Sequence, residues 1–412
     1  MSSNRRTQSI SIDQLKPGMF VVKLDIPWMD SPFLKHTRLI KSATDISKLK
    51  KAGVKVVDID IQRGLAPDAT IEGGTALPEP QHGETSGNKS TQIDATKSLE
   101  KELNLAYQLR SQIKSSINNI NAKLERNLPI DVEEYSPLVN DTLSSLERNN
   151  QALLNLAHLS RKSQKLVDHT FSTFCLCLNL AIAGDLRAEE TELLALAALL
   201  HDTGWLQLPL QLMGKRSGYS ATERKLVMSH LDIAKKMLSA SGVPEQVIRI
   251  ISEHHEHMDG SGYPGAKSGE ELHPLANLLA VVDNYDETVH QLTDKPGMIP
   301  TNALRRLYRE ADQGKFDPNQ VAALINILGI YPVSSAVQLN SGEKGVVEQV
   351  FADAHLEPII KIHYDKNNAP LKIPYNIDLR KKDGDIKIIE RVLDPSNPSD
   401  DPDKKLVPSF EA

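Results

Sequence analysis

A chain of 412 residues, 40% hydrophobic and 25% charged, has the material for about two or three packed domains with an ample core. Its net charge of −6, with no clustering of basic residues, gives none of the electrostatic footprint that DNA binding requires. No apolar stretch approaches the roughly 20 residues that cross a bilayer, so no membrane span is expected. The N-terminal residues also lack the apolar core of a secretion signal, so a cytoplasmic location is expected.

Residues 1–67 read as a small α/β module. Apolar and polar residues alternate on both sides of Pro17-Gly18, which predicts two short strands; residues 35–40 add a third. A short helix over 44–52, closed by Gly53, leads into a strand over 54–61. The module carries no convergent titratable cluster, which points to regulation or docking rather than catalysis. Residues 68–95, rich in Pro, Gly, Ser and Thr, read as a flexible linker. Connecting helices follow over 96–162. Leu99, Leu103, Ala106, Leu109, Ile113 and Ile117 mark one face of a helix over 96–127, Pro129 and Pro137 interrupt it, and a second helix covers 138–159. Such helices either lay a stripe on the following domain or pair as a homodimer seam.

From 163 to 332 the pattern is helix after helix. Residues 193–200 read LLALAALL, a helix with almost no polar face, and it ends in His201-Asp202. Ser220 and Glu223 form a capping box that opens the helix expected to carry His230. Gly242-Val243-Pro244 separates that helix from the one ending at His254-His255, and Pro274 precedes an apolar run to Asp283. Cys175 and Cys177, the only cysteines, point to different helix faces and read as small buried side chains. Residues 333–395 break into short alternating runs separated by turns, a small β unit, and 396–412 is expected to be a disordered tail. The fold class is mainly α.

Burying an imidazole and a carboxylate together at a core helix end is costly unless they are paired or bind metal. Here His201-Asp202, His254-His255, His169, His230 and Asp283 each end or line an apolar helix, which points to a metal site. Mixed imidazole and carboxylate donors suit Mn, Fe or Zn, whereas Ca or Mg favours oxygen alone. Two metals sharing one carboxylate activate water near neutral pH and clamp both oxygens of an in-line phosphoryl displacement. Directly after His255 comes DGSGYPG, where Gly260, Gly262 and Gly265 permit positive φ and close approach to a ligand. Tyr263, held between Gly262 and Pro264, offers a stacking face and a hydroxyl.

These residues, over about 168–332, resemble the HD-GYP branch of the HD metal-dependent phosphohydrolases. The β unit with its SGEKGVV run and the N-terminal module resemble the usual companions of that domain in non-membrane members. The resemblance implies an all-helical catalytic core, two divalent metal ions (Fe or Mn), and hydrolysis of cyclic di-GMP to linear pGpG and/or GMP in bacterial second-messenger signalling. It implies His169, His201, Asp202 and Asp283 as ligands of one metal and His230, His254 and His255 as ligands of the other. Asp202 is then the bridging carboxylate, and His201 and Asp202 are catalytic. Gly262, Tyr263 and Pro264 form the loop linked to substrate access and to diguanylate cyclase GGDEF partners. Three positions depart from the family. Trp205 stands where a lysine usually follows the HD pair, Lys165 stands where trinuclear members carry a glutamate, and Lys295 takes the place of an arginine on phosphate. Lys215 is a replacement cation. The altered substrate shell keeps two other readings open: a catalytically weak sensor or adaptor for cyclic di-GMP or a cyclase, and hydrolysis of another nucleotide.

Overall fold

The computed structural model describes residues 7–25, 38–40, 43–51, 53–61, 65, 90–159, 166–215, 218–290, 297–351, 354–381, 386–395, 397–403 and 406. The chain divides into two compact units, Met1–Lys89 and Ser90–Ala412.

In the first unit, β1 (Thr7–Ser11), β2 (Phe20–Leu24), β3 (Arg38–Leu39) and β4 (Val56–Asp60) form an antiparallel sheet in the order β1-β4-β2-β3. The two strands expected around Pro17-Gly18 are both present, but β4 lies between them. The chain leaves β1 through a 3₁₀ turn, Ile12–Gln14, capped by the Ser11 hydroxyl, so Pro17-Gly18 is no hairpin. Gly18, at φ +91°, instead donates to Ile40 O and accepts from Leu65 N. Met19, Val21, Ile40, Val57 and Ile59 fill the core together with Leu49 of α1 (Ala43–Lys51).

The second unit opens with α2 (Ser90–Glu125), which starts inside the stretch expected to be linker. No Gly or Pro stands between Asn88 and Glu125 to stop a helix extending toward the N-terminus. The rest of the expected linker lies outside the described residues. α3 (Ser136–Leu159) follows a 3₁₀ turn and kinks at Asn149, whose side chain accepts from Gln151 N. Ile113, Ile117 and Ile120 of α2 are buried, as are Leu146, Leu153 and Leu156 of α3, and both helices pack on α4 (Leu166–Ala183). Of the two readings open for the connecting helices, the stripe laid on the following domain is therefore the one seen.

α4 is the central helix. By length and composition it could cross a bilayer, with a mean hydropathy of 1.4 over 18 residues, contrary to the expectation that no segment would qualify. That window is 83% buried inside the unit, and it carries Asp168 and His169. Cys175 and Cys177 are buried free thiols, as expected, and burial pushes both pKa values up. The helices that follow are α5 (Ala188–Leu200), α6 (Leu210–Lys215), α7 (Ala221–Met228), α8 (His230–Ala240), α9 (Glu245–Glu253), α10 (Pro274–Val289), α11 (Pro300–Asp312) and α12 (Pro318–Leu328), of which α5, α10 and α12 pack on α4. Ser220 and Glu223 make the capping box of α7, and Pro274 occupies the first turn of α10.

A five-stranded antiparallel sheet completes the unit: β5 (Ala336–Leu339), β6 (Lys344–Gln349), β7 (Ile359–Tyr364), β8 (Pro370–Asp378) and β9 (Ile389–Val392), in the order β8-β7-β6-β5-β9. The tail expected to be disordered is partly folded onto it. Asp401 accepts from Tyr364 OH at 2.7 Å and from Leu406 N at 2.9 Å. Asp400 pairs with Arg391 at 2.9 Å, and its carbonyl accepts from Lys344 Nζ at 3.1 Å. Leu406 is fully buried beside Tyr364 and Leu393. Arg391 and the Tyr364 phenol offset the burial of the two carboxylates, a pairing that polar composition does not reveal.

Candidate metal centre

The site assembles where helix ends meet the middle of α4 and α10. His201 caps the C-terminus of α5, and Asp202 opens the 3₁₀ turn Thr203–Gln207. His230 is the first residue of α8, and His254 closes α9. His169 lies on α4 and Asp283 on α10. All six of these side chains are buried.

Three of the histidines are oriented by one device. Nδ1 of His201, His230 and His254 lies 2.9, 2.7 and 2.6 Å from the carbonyl oxygens of Ala198, Val227 and Ile251 respectively. A carbonyl only accepts, so Nδ1 carries the hydrogen and Nε2 turns its lone pair inward. Nε2 of His230 and of His254 is buried without a hydrogen-bond partner among the described residues. Buried lone pairs left unmatched are costly, and a cation between them relieves that cost. The donor set therefore fits a metal.

Among the described residues, His169, His201 and Asp283 form one donor set and His230, His254 and His255 another, with the ligand atoms in each lying within 4.8 Å of one another; His169 also groups in this way with Asp286 and His290, behind the first set. His169 Nε2 is 3.0 Å from Asp283 Oδ1 and 3.3 Å from His201 Nε2. Asp202 spans the gap. Its Oδ2 lies 3.6 Å from His169 Nε2 and 3.7 Å from His201 Nε2, while Oδ1 lies 3.9 Å from His230 Nε2. Asp283 Oδ2 also approaches His255 Nδ1, at 3.8 Å.

The electrostatics of the two sets differ. Burial lowers the pKa of His230, takes that of His254 down to about 4, and takes that of His255 well below the usual histidine range. These rings are neutral donors at pH 7. Burial opposes charge on His169 too, but the hydrogen bonds it makes to the Asp283 and Asp286 carboxylates outweigh it and hold its pKa well above normal. His201 is raised against the same burial by the charge of Asp202 and by Asp283. Burial would raise Asp283, yet His169, His201 and His255 keep it well below the carboxylate range. The carboxylates of this set therefore favour protonated imidazoles where a cation would bind.

Two aromatic rings flank the second set. Trp205 stacks on His230 at 5.6 Å and 27°, and Tyr263 stacks on His255 at 4.8 Å and 23°. Trp205 is buried among Leu166, Leu208, Leu212 and Val227, so it serves as packing behind His230. Gly262 is required by close approach, since a Cβ there would lie 2.4 Å from Glu256 Cα and from His257 N. Of the three loop glycines, only Gly260 takes positive φ, at +77°. The Tyr263 amide donates to His255 O at 3.1 Å, and the Tyr263–Pro264 peptide is cis. Glu256, itself buried, ties down the far side of the loop by accepting from Gly265 N at 2.5 Å and Lys267 N at 3.1 Å. Glu256→Ala is expected to lose about 2 kcal/mol, a typical value for hydrogen bonds to a charged group. Chemical denaturation would measure that loss, and faster amide exchange at Gly265 and Lys267 would localise it.

Lys215, expected as a replacement cation, is engaged elsewhere: its ammonium donates to both Glu223 oxygens, at 2.9 and 2.7 Å. That pairing, with the Ser220 cap, brings Glu223 down to about 2. Lys165 and Lys295 lie outside the described residues. Sequence reading did not assign Asp286 or His290 to the site, yet Asp286 Oδ2 lies 2.7 Å from His169 Nδ1. Their spacing from Asp283, one and two turns along α10, was the available signal. It also missed Lys114 of α2, whose ammonium donates to Asp168, beside His169, at 2.7 Å.

The HD domain family matches residues 136–320, and a domain of unknown function, DUF3391, matches 7–135. The HD match begins with α3, ahead of residue 163, where the helical domain was expected to start. A cyclic di-GMP phosphodiesterase of Pseudomonas aeruginosa is 31% identical over 369 residues, spanning 89% of this chain and 86% of that protein. A cyclic di-GMP phosphodiesterase of Borreliella burgdorferi is 25% identical over 172 residues, 42% of this chain and 45% of that protein. A 3'3'-cGAMP-specific phosphodiesterase of Vibrio cholerae is 26% identical over 183 residues, 44% and 42% of the two chains. With His201-Asp202 at the end of α5 and Gly262-Tyr263-Pro264 against His255, the chain belongs to the HD domain family, in its HD-GYP branch.

Proposed function

We propose that this chain is a binuclear metal-dependent phosphodiesterase that hydrolyses cyclic di-GMP to linear pGpG and/or GMP. Membership of the HD family implies divalent-metal catalysis. The observation that carries the binuclear reading is Asp202, whose two oxygens face two separate donor sets. His169, His201 and Asp283 would hold one cation, His230, His254 and His255 the other, with Asp202 bridging. Imidazole-rich, carboxylate-containing donors favour Fe or Mn. Two such cations would supply Lewis acidity at a phosphoryl oxygen and a nucleophile near neutral pH. The chain's own residues do the positioning. Backbone carbonyls aim three Nε2 lone pairs, Asp202 sets the separation of the two halves, and Tyr263 covers one face of His255.

The substrate is supported by the Pseudomonas relative, which aligns along most of both chains. The Gly262-Tyr263-Pro264 loop is the face we assign to GGDEF-domain cyclases. The connecting helices α2 and α3 are the elements we assign to a homodimer. We place the protein in the cytoplasm, where the reduced, buried thiols of Cys175 and Cys177 are expected.

A second reading, a sensor or adaptor that binds without turnover, is favoured by Trp205 and Lys215. The first is buried behind His230 and the second is paired to Glu223. The deciding experiment loads anaerobically purified protein with Mn(II) or Fe(II) and follows cyclic di-GMP and 3'3'-cGAMP by chromatography. Conversion of cyclic di-GMP to pGpG or GMP is the expected result. Conversion of 3'3'-cGAMP alone would move the substrate assignment, and calorimetric binding without turnover would establish the sensor.

A further inference from the structure

On α10, Asp286 sits between two histidines. Its Oδ2 lies 2.7 Å from His169 Nδ1 and 2.8 Å from His290 Nδ1, while Oδ1 accepts from Ser172 Oγ at 2.5 Å. The rings of His169 and His290 meet edge to face at 6.0 Å and 82°. All four side chains are buried, and Leu154, Ala157, Leu176 and Val289 lie around them. Placing a carboxylate and a second imidazole in such surroundings is unfavourable for folding alone, since apolar residues of similar volume do as well or better. The cluster touches the metal centre at one point only, the Nδ1 of His169.

That point of contact is informative. His201, His230 and His254 are oriented by neutral backbone carbonyls. His169 is oriented by a carboxylate, which fixes its tautomer and ring plane and makes Nε2 a stronger donor. Nε2 is the atom facing Asp283, His201 and Asp202. Ser172, one turn beyond His169, donates to one carboxylate oxygen, and the His290 ring, one turn beyond Asp286, lies against the other at 2.8 Å.

We propose that Asp286 and His290 are positioning residues that set the cation affinity of the His169, His201 and Asp283 half of the centre by orienting His169. This rests on the metal-centre reading above and assigns a different role to residues that bind no metal themselves.

The test is a titration of the metal-free full-length chain with Co(II), followed by visible absorption and calorimetry. It is run on wild type, Asp286→Asn, His290→Ala and His290→Gln, with His230→Ala reporting on the other half. Wild type should show two binding events. One of them should weaken about 10–100-fold in Asp286→Asn and roughly 10-fold in His290→Ala, with the other within about two-fold of wild type. His290→Gln, whose amide can still donate to Asp286, should recover most of the loss, and His230→Ala should weaken the opposite event. Unchanged constants in both variants would overturn the positioning role while leaving the metal centre intact. Equal weakening of both events would also overturn it, as a general effect on the fold. So would loss of a whole equivalent from a wild type that binds three, which would make His290 a ligand. A wild type that binds no Co(II) would overturn the metal-centre reading itself, and this inference with it.

Discussion

Asp202→Ala should lose turnover almost completely, by roughly 10³-fold or more in kcat, the upper range for removing one preorganised electrostatic contact. The carboxylate faces both donor sets, with Oδ2 at 3.6 Å from His169 Nε2 and Oδ1 at 3.9 Å from His230 Nε2. Truncation removes a charge from each half at once and leaves His201 without the neighbour that raises its pKa most. The metal-free chain should lose some stability as well, because removing one partner of a buried pair leaves the imidazoles without their counter-charge. Two measurements check this together: cyclic di-GMP turnover under saturating Mn(II), and bound metal by elemental analysis of the folded fraction. Metal content there should fall below that of wild type. A variant that retained turnover within about tenfold of wild type would remove Asp202 from the centre.

Gly204→Ala should be the most destabilising single-methyl change near the site. A Cβ at Gly204 would stand 1.9 Å from His230 O, 2.7 Å from His230 C and 3.0 Å from Ala234 N. All three are backbone atoms of α8 or its first residue, so no rotamer change gives relief and the helix itself must move. Overpacking typically costs 1–3 kcal/mol, and with rigid backbone on the far side about 3 kcal/mol or more is expected. The Tm should then drop by roughly 5 °C or more. The displacement also carries His230 away from Asp202 and from the face of Trp205. Metal binding by the imidazole set should therefore weaken in the fraction that stays folded. Differential scanning calorimetry and Co(II) titration read the two effects separately. An unchanged Tm would show that α8 is not seated on Gly204.

Both predictions rest on features of different legibility. His201-Asp202, His254-His255 and the Gly-Tyr-Pro loop stand out because each ends or interrupts an apolar helix, and that periodicity is written in neighbouring residues. So are the capping box of Ser220 with Glu223, the break at Gly242-Val243-Pro244, and Pro274 at the start of α10. Each depends on interactions within about four positions along the chain, which local rules capture. The start of α2 was misread because Ser and Thr near its N-terminus resemble linker composition, although no helix breaker follows them.

Other features depend on which surfaces meet. Lys215 is charged and close to the site in sequence, but Glu223 lies nearer to it in space. Trp205 stands in the sequence where a lysine usually follows the HD pair, and folding stacks it on His230. Asp400 and Asp401 belong to a polar tail until Lys344, Arg391 and Tyr364 arrive from the sheet to receive them. Asp286 and His290 take their role from His169, more than a hundred positions away in the chain.

The sequence by itself determined the helical class of the central region and the order of its helices, and it pointed to histidines and aspartates that the fold brings together, because periodicity and residue chemistry are local properties. The tertiary structure alone decided that Asp202 faces two sets, that His169 is oriented by a carboxylate and that Gly204 seats α8. Those outcomes are set by distances between segments remote in the chain, and they are determined only when burial of the apolar faces brings the helix ends together.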